Sequence, residues 1–203
     1  MSRNSHLGMS CLVIVATAGL GAAGCVSAPD DPGASSASAD GVVYRTIVQF
    51  SPDGSIAPIY ETVTVAQQQA EQAARAAAIE ASRTGAVHPQ ALPTLKVDGG
   101  CAGASLWLFD QANLAGNELC LFKAATDDAA WLDLGTVCRG FLCLGTWSNA
   151  VHSLWAGSDP GSLQACTPTL CFATPFVSFT DFQRIDSVVG GAHPLTTAFL
   201  FTP

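Results

Sequence analysis

With 203 residues, 49% of them apolar and only 12% charged, the chain is long enough for one domain with a real core plus additional sequence. Its formal charge of −8, from 16 acidic against 8 basic residues, excludes nucleic-acid binding and charge-driven binding to anionic membranes. Both need clustered Lys and Arg to displace counterions, and no such cluster occurs along the chain.

A short polar stretch with Arg3 and His6 leads into the apolar run Leu12-Val13-Ile14-Val15-Ala16, which thins into Gly and Ala and stops at Ala22-Ala23-Gly24-Cys25. That order predicts a secretory signal peptide over 1–24. The run is too short, and too broken by Gly, Ser and Thr, for a membrane span of about 20 apolar residues. The end AAGC resembles a bacterial lipobox, with Ala22 where Leu is usual. The resemblance implies lipid attachment to Cys25. The competing expectation is ordinary cleavage nearby, with Cys25 a spare thiol. Val26 follows, so the Asp that signals inner-membrane retention in enteric bacteria is not there. The expected location is the cell envelope, lipid-anchored in the outer membrane if the cell is Gram-negative, or the extracellular space, with the anchor as the sole membrane contact.

After Cys25, residues 26–41 (VSAPDDPGASSASADG) hold Pro, Gly, Ser, Ala and Asp with one larger aliphatic side chain. Such a segment buries too little apolar area to offset chain entropy, so 25–41 reads as a lipidated tether. Over 42–63, VVYRTIVQF and SIAPIYETV flank a Pro-Asp-Gly turn signal and predict a β-hairpin. Thr64 and Gln67 have capping-box spacing ahead of AQQQAEQAARAAAIEASR, so a helix is expected from about 65 to 83, ending at Gly85. Its Ala-rich face suggests a helix that packs on the hairpin or serves as a spacer, and no a/d heptad supports a coiled coil. The hairpin and helix are expected as a small module over 42–85, and Pro89, Pro93, Gly99 and Gly100 mark a linker over 86–100.

Residues 101–203 differ in kind. They contain all four tryptophans and six of the eight cysteines, Cys101, Cys120, Cys138, Cys143, Cys166 and Cys171. In an exported chain an even set of six reads as three disulfides, with fifteen connectivities available. Cys138/Cys143 and Cys166/Cys171 share a C-x4-C spacing that suits local bridges across turns, which leaves Cys101 with Cys120 by elimination. The rival reading is a zinc site from four cysteines, which the spacing does not exclude and export disfavours. Short β-rich runs separated by Gly, Asn, Asp and Pro give an all-β sandwich as the fold class.

The run from Ser105 to Leu121, SLWLFDQANLAGNELCL, is more specific. It resembles the first hairpin of a βγ-crystallin Greek key, with Phe109, Leu114 and Gly116 at the aromatic, apolar and glycine positions. The Gly would take a positive φ where a side chain clashes, and Phe109 would pack on Leu114. WSNAVHSLWAG, from Trp147, resembles the later part of the same motif, with Ser153 as the serine that ties back to the hairpin. DFQRIDSVVG, from Asp181 to Gly190, is a degenerate second copy, and CTPTLC stands near where its hairpin is wanted. The resemblance implies a two-motif Greek-key βγ-crystallin-like sandwich over 101–203. It extends to the streptomycete metalloproteinase-inhibitor family, small exported disulfide-bonded domains of crystallin type.

The resemblance also raises calcium, which many microbial crystallin-type domains bind through an Asn/Asp pair followed by hydroxyl oxygens. Ser148, Asn149 and His152 occupy that stretch. Calcium wants six to eight oxygens, so an imidazole at His152 degrades the site, and the favoured expectation is a turn at Asn149 with His152 in solvent. No cofactor is expected otherwise. An enzyme is not expected: G-x-S-x-G, H-E-x-x-H and a phosphate loop are all missing, and His6, His88, His152 and His193 are scattered. Asp127, Asp128 and Asp133 stand in a turn-like stretch where solvated Asp is ordinary. What remains is a non-enzymatic binding protein, with a secreted protease or an envelope component as partner and protease inhibition its sharpest form. The alternative is a calcium-binding or structural envelope protein. The expected binding loop lies between Cys138 and Cys143, with Arg139, Phe141 and Leu142; its competing reading is a hydrophobic turn folded onto the sandwich.

Overall fold

The computed structural model describes residues 41–49, 57–84, 100–123, 129–166, 176–188 and 195–201. The expected signal peptide, Cys25, nearly all of the tether, most of the linker, Asp127, Asp128 and Cys171 lie outside the described residues. All described residues fall in one compact unit, 35–203.

Strands β1 (Val42–Gln49) and β2 (Ile59–Thr64) pair antiparallel, Val42 facing Thr64 and Ile47 facing Ile59, as the turn signal between them predicts. Helix α1 (Val65–Arg83) starts directly after β2, where Thr64 Oγ1 accepts a hydrogen bond from the Gln67 backbone at 3.1 Å and satisfies one of the free amides of the first turn. The cysteine-rich region then supplies β3 (Leu106–Gln111), β4 (Ala115–Phe122), β5 (Ala129–Asp133), β6 (Ser153–Ala156), β7 (Gly161–Gln164), β8 (Val177–Phe179), β9 (Arg184–Ile185) and β10 (Thr197–Phe201). Short 3-10 turns follow β3 and β5.

These strands make two sheets, one ordered β2-β1-β4-β3-β6-β9 and the other β5-β10-β7-β8. The protein is mostly β-sheet with one helix, in keeping with the all-β expectation. Each half of the cysteine-rich region lends one strand to the other's sheet: β5 pairs with β10, and β9 pairs with β6. The hairpin and helix are built into the same unit, because β1 runs parallel to β4, with Arg45 beside Glu118 and Gln49 beside Phe122. That pairing covers what would otherwise be a free sheet edge at β4.

Period-two alternation sorts the side chains of the larger sheet onto two faces. Val48, Leu106, Leu108, Leu119, Leu121, Leu154 and Ala156 join Leu163, Phe179, Ala198 and Leu200 in the core between the sheets, together with the fully buried Trp147. Ile47, Trp107, Phe109, Cys120, Phe122 and Trp155 form a second core with Ile79 of α1. Burying side chains of this size contributes on the order of 1.5–3 kcal/mol each, so the sheet is held from both sides.

Two expectations need correction. The alanines of α1 do not form its buried face: Ala66, Ala70, Ala73, Ala74, Ala76, Ala77 and Ala78 are exposed, whereas Gln68, Arg75 and Ile79 are buried. Nor does the stretch from Asp181 supply the closing strand of a second motif. It gives a turn and the two-residue β9 beside β6, while β10 lies between β5 and β7. The hairpin partner of β7 is β8, on the far side of the CTPTLC stretch.

Candidate functional site

The fold-over between β3 and β4 is the local frame on which the site is built. Asn113 and Leu114 take φ of 61° and 59°, and Gly116 takes 80°; a Cβ at Gly116 would run into Oδ1 of Asp110, so glycine is required there. Ser153, fully buried, ties the fold-over down. Its hydroxyl donates to the Gln111 carbonyl at 2.6 Å and accepts from the Leu114 amide at 3.0 Å. Phe109 and Leu114 lie in the same core cluster.

Around Ser153 the stretch WSNAVHSLW resolves into separate roles. Trp147 is fully buried, and Trp155 lies 6% exposed beneath α1. The backbone amides of Ser148 and Asn149 donate to the carbonyls of Leu134 and Leu195. Asn149 turns the chain with φ of 63°, and its side chain is exposed. His152 is also exposed; its amide donates to Phe109, and its carbonyl accepts from Val188. The structure thus brings Ser148, Asn149 and His152 into one loop without a carboxylate among them. The carboxylate whose charge interacts with His152 is Asp110, and that group is engaged elsewhere.

Asp110 was not legible as a site residue, yet it organises this end of the molecule. Its Oδ1 accepts from the Asn117 amide and its Oδ2 from Asn117 Nδ2, both at 2.7 Å, while Arg139 lies 3.5 Å from Oδ2. Asn117 Oδ1 accepts in turn from the Tyr44 amide at 2.8 Å. Burial pushes the Asp110 carboxyl above its ordinary value; the Asn117 hydrogen bonds and the charges of Arg139 and His152 offset only part of that.

This network props up the loop closed by the Cys138–Cys143 disulfide. Thr46 Oγ1 donates to the Cys138 carbonyl at 3.0 Å, and the Arg139 amide donates to Gly145 at 2.8 Å. Gly140, with φ of 105°, lies so near the Tyr44 ring that a Cβ there would stand 3.0 Å from Cγ. Beyond this base the apex is bare: Phe141 is 78%, Leu142 67% and Leu144 90% exposed. That exposure speaks against the alternative of a turn folded onto the sandwich.

The second disulfide, Cys101–Cys120, lies beneath α1, and both of its cysteines are fully buried. Cys166 is also disulfide-bonded, and its expected partner Cys171 lies outside the described residues. Among the described residues the one His/Cys/Asp/Glu group close enough to hold a metal is Cys101, Glu118 and Cys120. With both sulfurs in a disulfide, neither offers the thiolate that zinc requires.

Glu118 belongs instead to a polar layer between α1 and the sheet. Arg45 Nε donates to Glu118, and Arg45 Nη2 pairs with Glu71 at 2.6 Å. Gln68 Nε2 donates to Glu118 at 2.7 Å, and Glu71 accepts from the Cys101 amide at 2.9 Å. Arg75 donates to the carbonyls of Ala102, Ala104 and Trp155, and its guanidinium stacks on the Trp107 and Trp155 rings. Burial lowers the Arg75 pKa to about 9, which still leaves it charged at neutral pH. This layer is structural. Its ion pairs and hydrogen bonds hold the helix in place, although Arg75 Nε is buried without a hydrogen-bond partner. The remaining candidate, Asp133, caps a turn by accepting from Gly135.

Among the described residues, then, the disulfide-closed loop is apolar and exposed at its tip and braced by Asp110, Asn117 and Tyr44, while Trp131, Ile59 and Phe201 are further exposed apolar side chains. No family model matches this chain, and no curated protein or solved structure matches it either.

Proposed function

We propose that this is an exported, envelope-anchored, non-enzymatic binding protein whose 101–203 region is a two-motif crystallin-like Greek-key sandwich. In a Greek key the fourth strand returns to lie beside the first. The neighbours β6 and β3, and β10 and β7, support that reading, as do the positive φ at Gly116 and the Ser153 tie to the fold-over. The lipobox-like AAGC and the tether after it support export and anchoring.

The observation that carries the binding role is the exposure of Phe141 and Leu142 inside the loop closed by the Cys138–Cys143 disulfide, and of Leu144 directly after it. A loop fixed in one shape loses less entropy on binding. The inhibitor family that the sequence resembles suggests a protease cleft as one destination, and the same rigidity favours it. A photo-crosslinking residue placed at Leu144 in the producing cell tests the contact, with Ala77 on the exposed face of α1 as control. Strong crosslinks to envelope material from 144 and few from 77 are expected. Equal yields from the two positions remove the loop from the binding role.

A further inference from the structure

Two distant parts of the chain build one apolar surface. Below Phe141, Leu142 and Leu144, the exposed side chains of Tyr44 (43%) and Val42 (65%) continue it along the same face of β1. Contact of Gly140 with the Tyr44 ring and the hydrogen bond from Thr46 to Cys138 fix the loop over that face. From Gly140 to Gly145 the sequence is Gly-Phe-Leu-Cys-Leu-Gly, so no side chain at the apex offers a strong hydrogen-bonding group. Insertion into the acyl boundary of a bilayer asks no hydrogen bonds of such an apex.

The chain also leaves the domain at this place. Val42 is the first residue of β1, and the tether of 26–41 joins it to Cys25. Sixteen residues reach at most about 55 Å at full extension, which keeps the patch within that distance of any bilayer that receives the Cys25 lipid. We propose that Val42, Tyr44, Phe141, Leu142 and Leu144 form a membrane-docking face, a second contact with the bilayer beyond the lipid anchor. This rests on the anchored reading above. The formal charge of −8 opposes attraction to anionic headgroups, so docking draws on apolar insertion to a depth of about 5–10 Å. It is therefore insensitive to salt and shows no preference for anionic lipid.

The test uses the mature protein isolated from the membranes of producing cells and reconstituted into phosphatidylcholine vesicles with brominated acyl chains. Leu144→Trp adds a reporter at the apex, and Ala77→Trp adds one on the opposite side of the sheet. The expected result is a several-fold greater bromine quenching of the emission added at 144 than of that added at 77, unchanged by salt. Phe141→Trp repeats the measurement should the first variant unfold on heating well below the wild type. Emission at both apex positions equal to that in bromine-free vesicles overturns the proposal, as does equal quenching at 144 and 77. An unquenched apex in a protein that blocks a secreted zinc protease stoichiometrically overturns it in favour of a protein partner. The intact mass of the mature chain reads the anchor separately: a Cys25 without acyl groups refutes the anchored reading, while quenching still reports whether the face docks on vesicles.

Discussion

Ser153 illustrates how much a single hydroxyl can hold. It bonds both to the Gln111 carbonyl and to the Leu114 amide in a site closed to water. Ser153→Ala leaves both groups without that partner. Each unsatisfied buried group costs about 1–3 kcal/mol, so the urea midpoint should fall by more than a surface substitution produces, with the denaturant slope unchanged. An unchanged midpoint would show that the tie contributes nothing. Asp110 gives a prediction about pH. Its carboxyl is raised above the ordinary 3.8 chiefly by burial, so the folded state binds the proton more tightly than the unfolded chain does. Stability contributed by this group is therefore greatest in acid and declines as pH rises from 3.8 through the folded value. Asp110→Asn should flatten that decline in a pH series of thermal unfolding, and an identical series in wild type and variant contradicts it. Calcium at millimolar concentration should leave the melting temperature unmoved. Among the described residues the carboxylate that interacts with His152 is Asp110, already bonded by Asn117, and a binding ion would raise the melting temperature by mass action.

Helix α1 depends on polar contacts to an unusual degree for a helix on a sheet face. Arg75→Ala removes the donors to three carbonyls and the cation between two indole rings. Hydrogen bonds from a charged donor contribute about 1.5–3 kcal/mol, so a loss of at least that size is expected. Amide exchange should quicken in α1 before it does in β3 and β4, and uniform quickening across the fold would refute this local role. The Cys101–Cys120 bridge closes a span of 19 residues and contributes about 3 kcal/mol by restricting the unfolded chain. Local signals made several elements legible in advance. Thr64 and Gln67 announced the start of α1, the Pro-Asp-Gly turn announced the β1–β2 hairpin, and Gly116 announced the fold-over. Two of the disulfides followed from spacing and elimination. What sequence could not supply was long-range pairing. Nothing in VVYRTIVQ tells that β1 will run parallel to β4, because a parallel partner leaves no turn between the strands. The polar stripe of Gln68, Glu71, Gln72 and Arg75 lies at helical spacing, but on an Ala-rich helix it reads as a solvated face until Arg45 and Glu118 are placed against it. The closing strand β10 carries none of the Trp-Asn-Ser signature of WSNAVHSLW, so the copy at Asp181 attracted the assignment instead. The loop was found by its cysteines and apolar residues, whereas its brace, Asp110, sits inside a strand and gives no local sign.

At the scale of the whole molecule, the cysteine-rich region and the hairpin-helix segment share one sheet and one buried polar layer. A fragment of residues 100–203 keeps the four-stranded sheet but loses α1 and, from the larger sheet, β1 and β2, and with them Arg45 and Gln68, the partners of Glu118. The fragment also exposes the apolar surface that β1 and α1 cover through Ile47, Val48 and Ile79, and it opens the long edge of β4 to pairing with other chains. Domains have about 5–15 kcal/mol in total, and each side chain of this size contributes on the order of 1.5–3 kcal/mol by burial, so the lost packing removes a large share. Fragment 100–203 should therefore aggregate or unfold without cooperativity, although it holds all six cysteines of the sandwich. Residues 41–84 supplied as a separate chain should restore a cooperative transition, because β1 reaches β4 through space and needs no covalent link to pair with it. A fragment that melts cooperatively within a few degrees of the intact protein would mean that the sandwich folds alone. In that case the hairpin and helix would be an addition to a finished domain, and the Arg45–Glu118 pair a consequence of their docking.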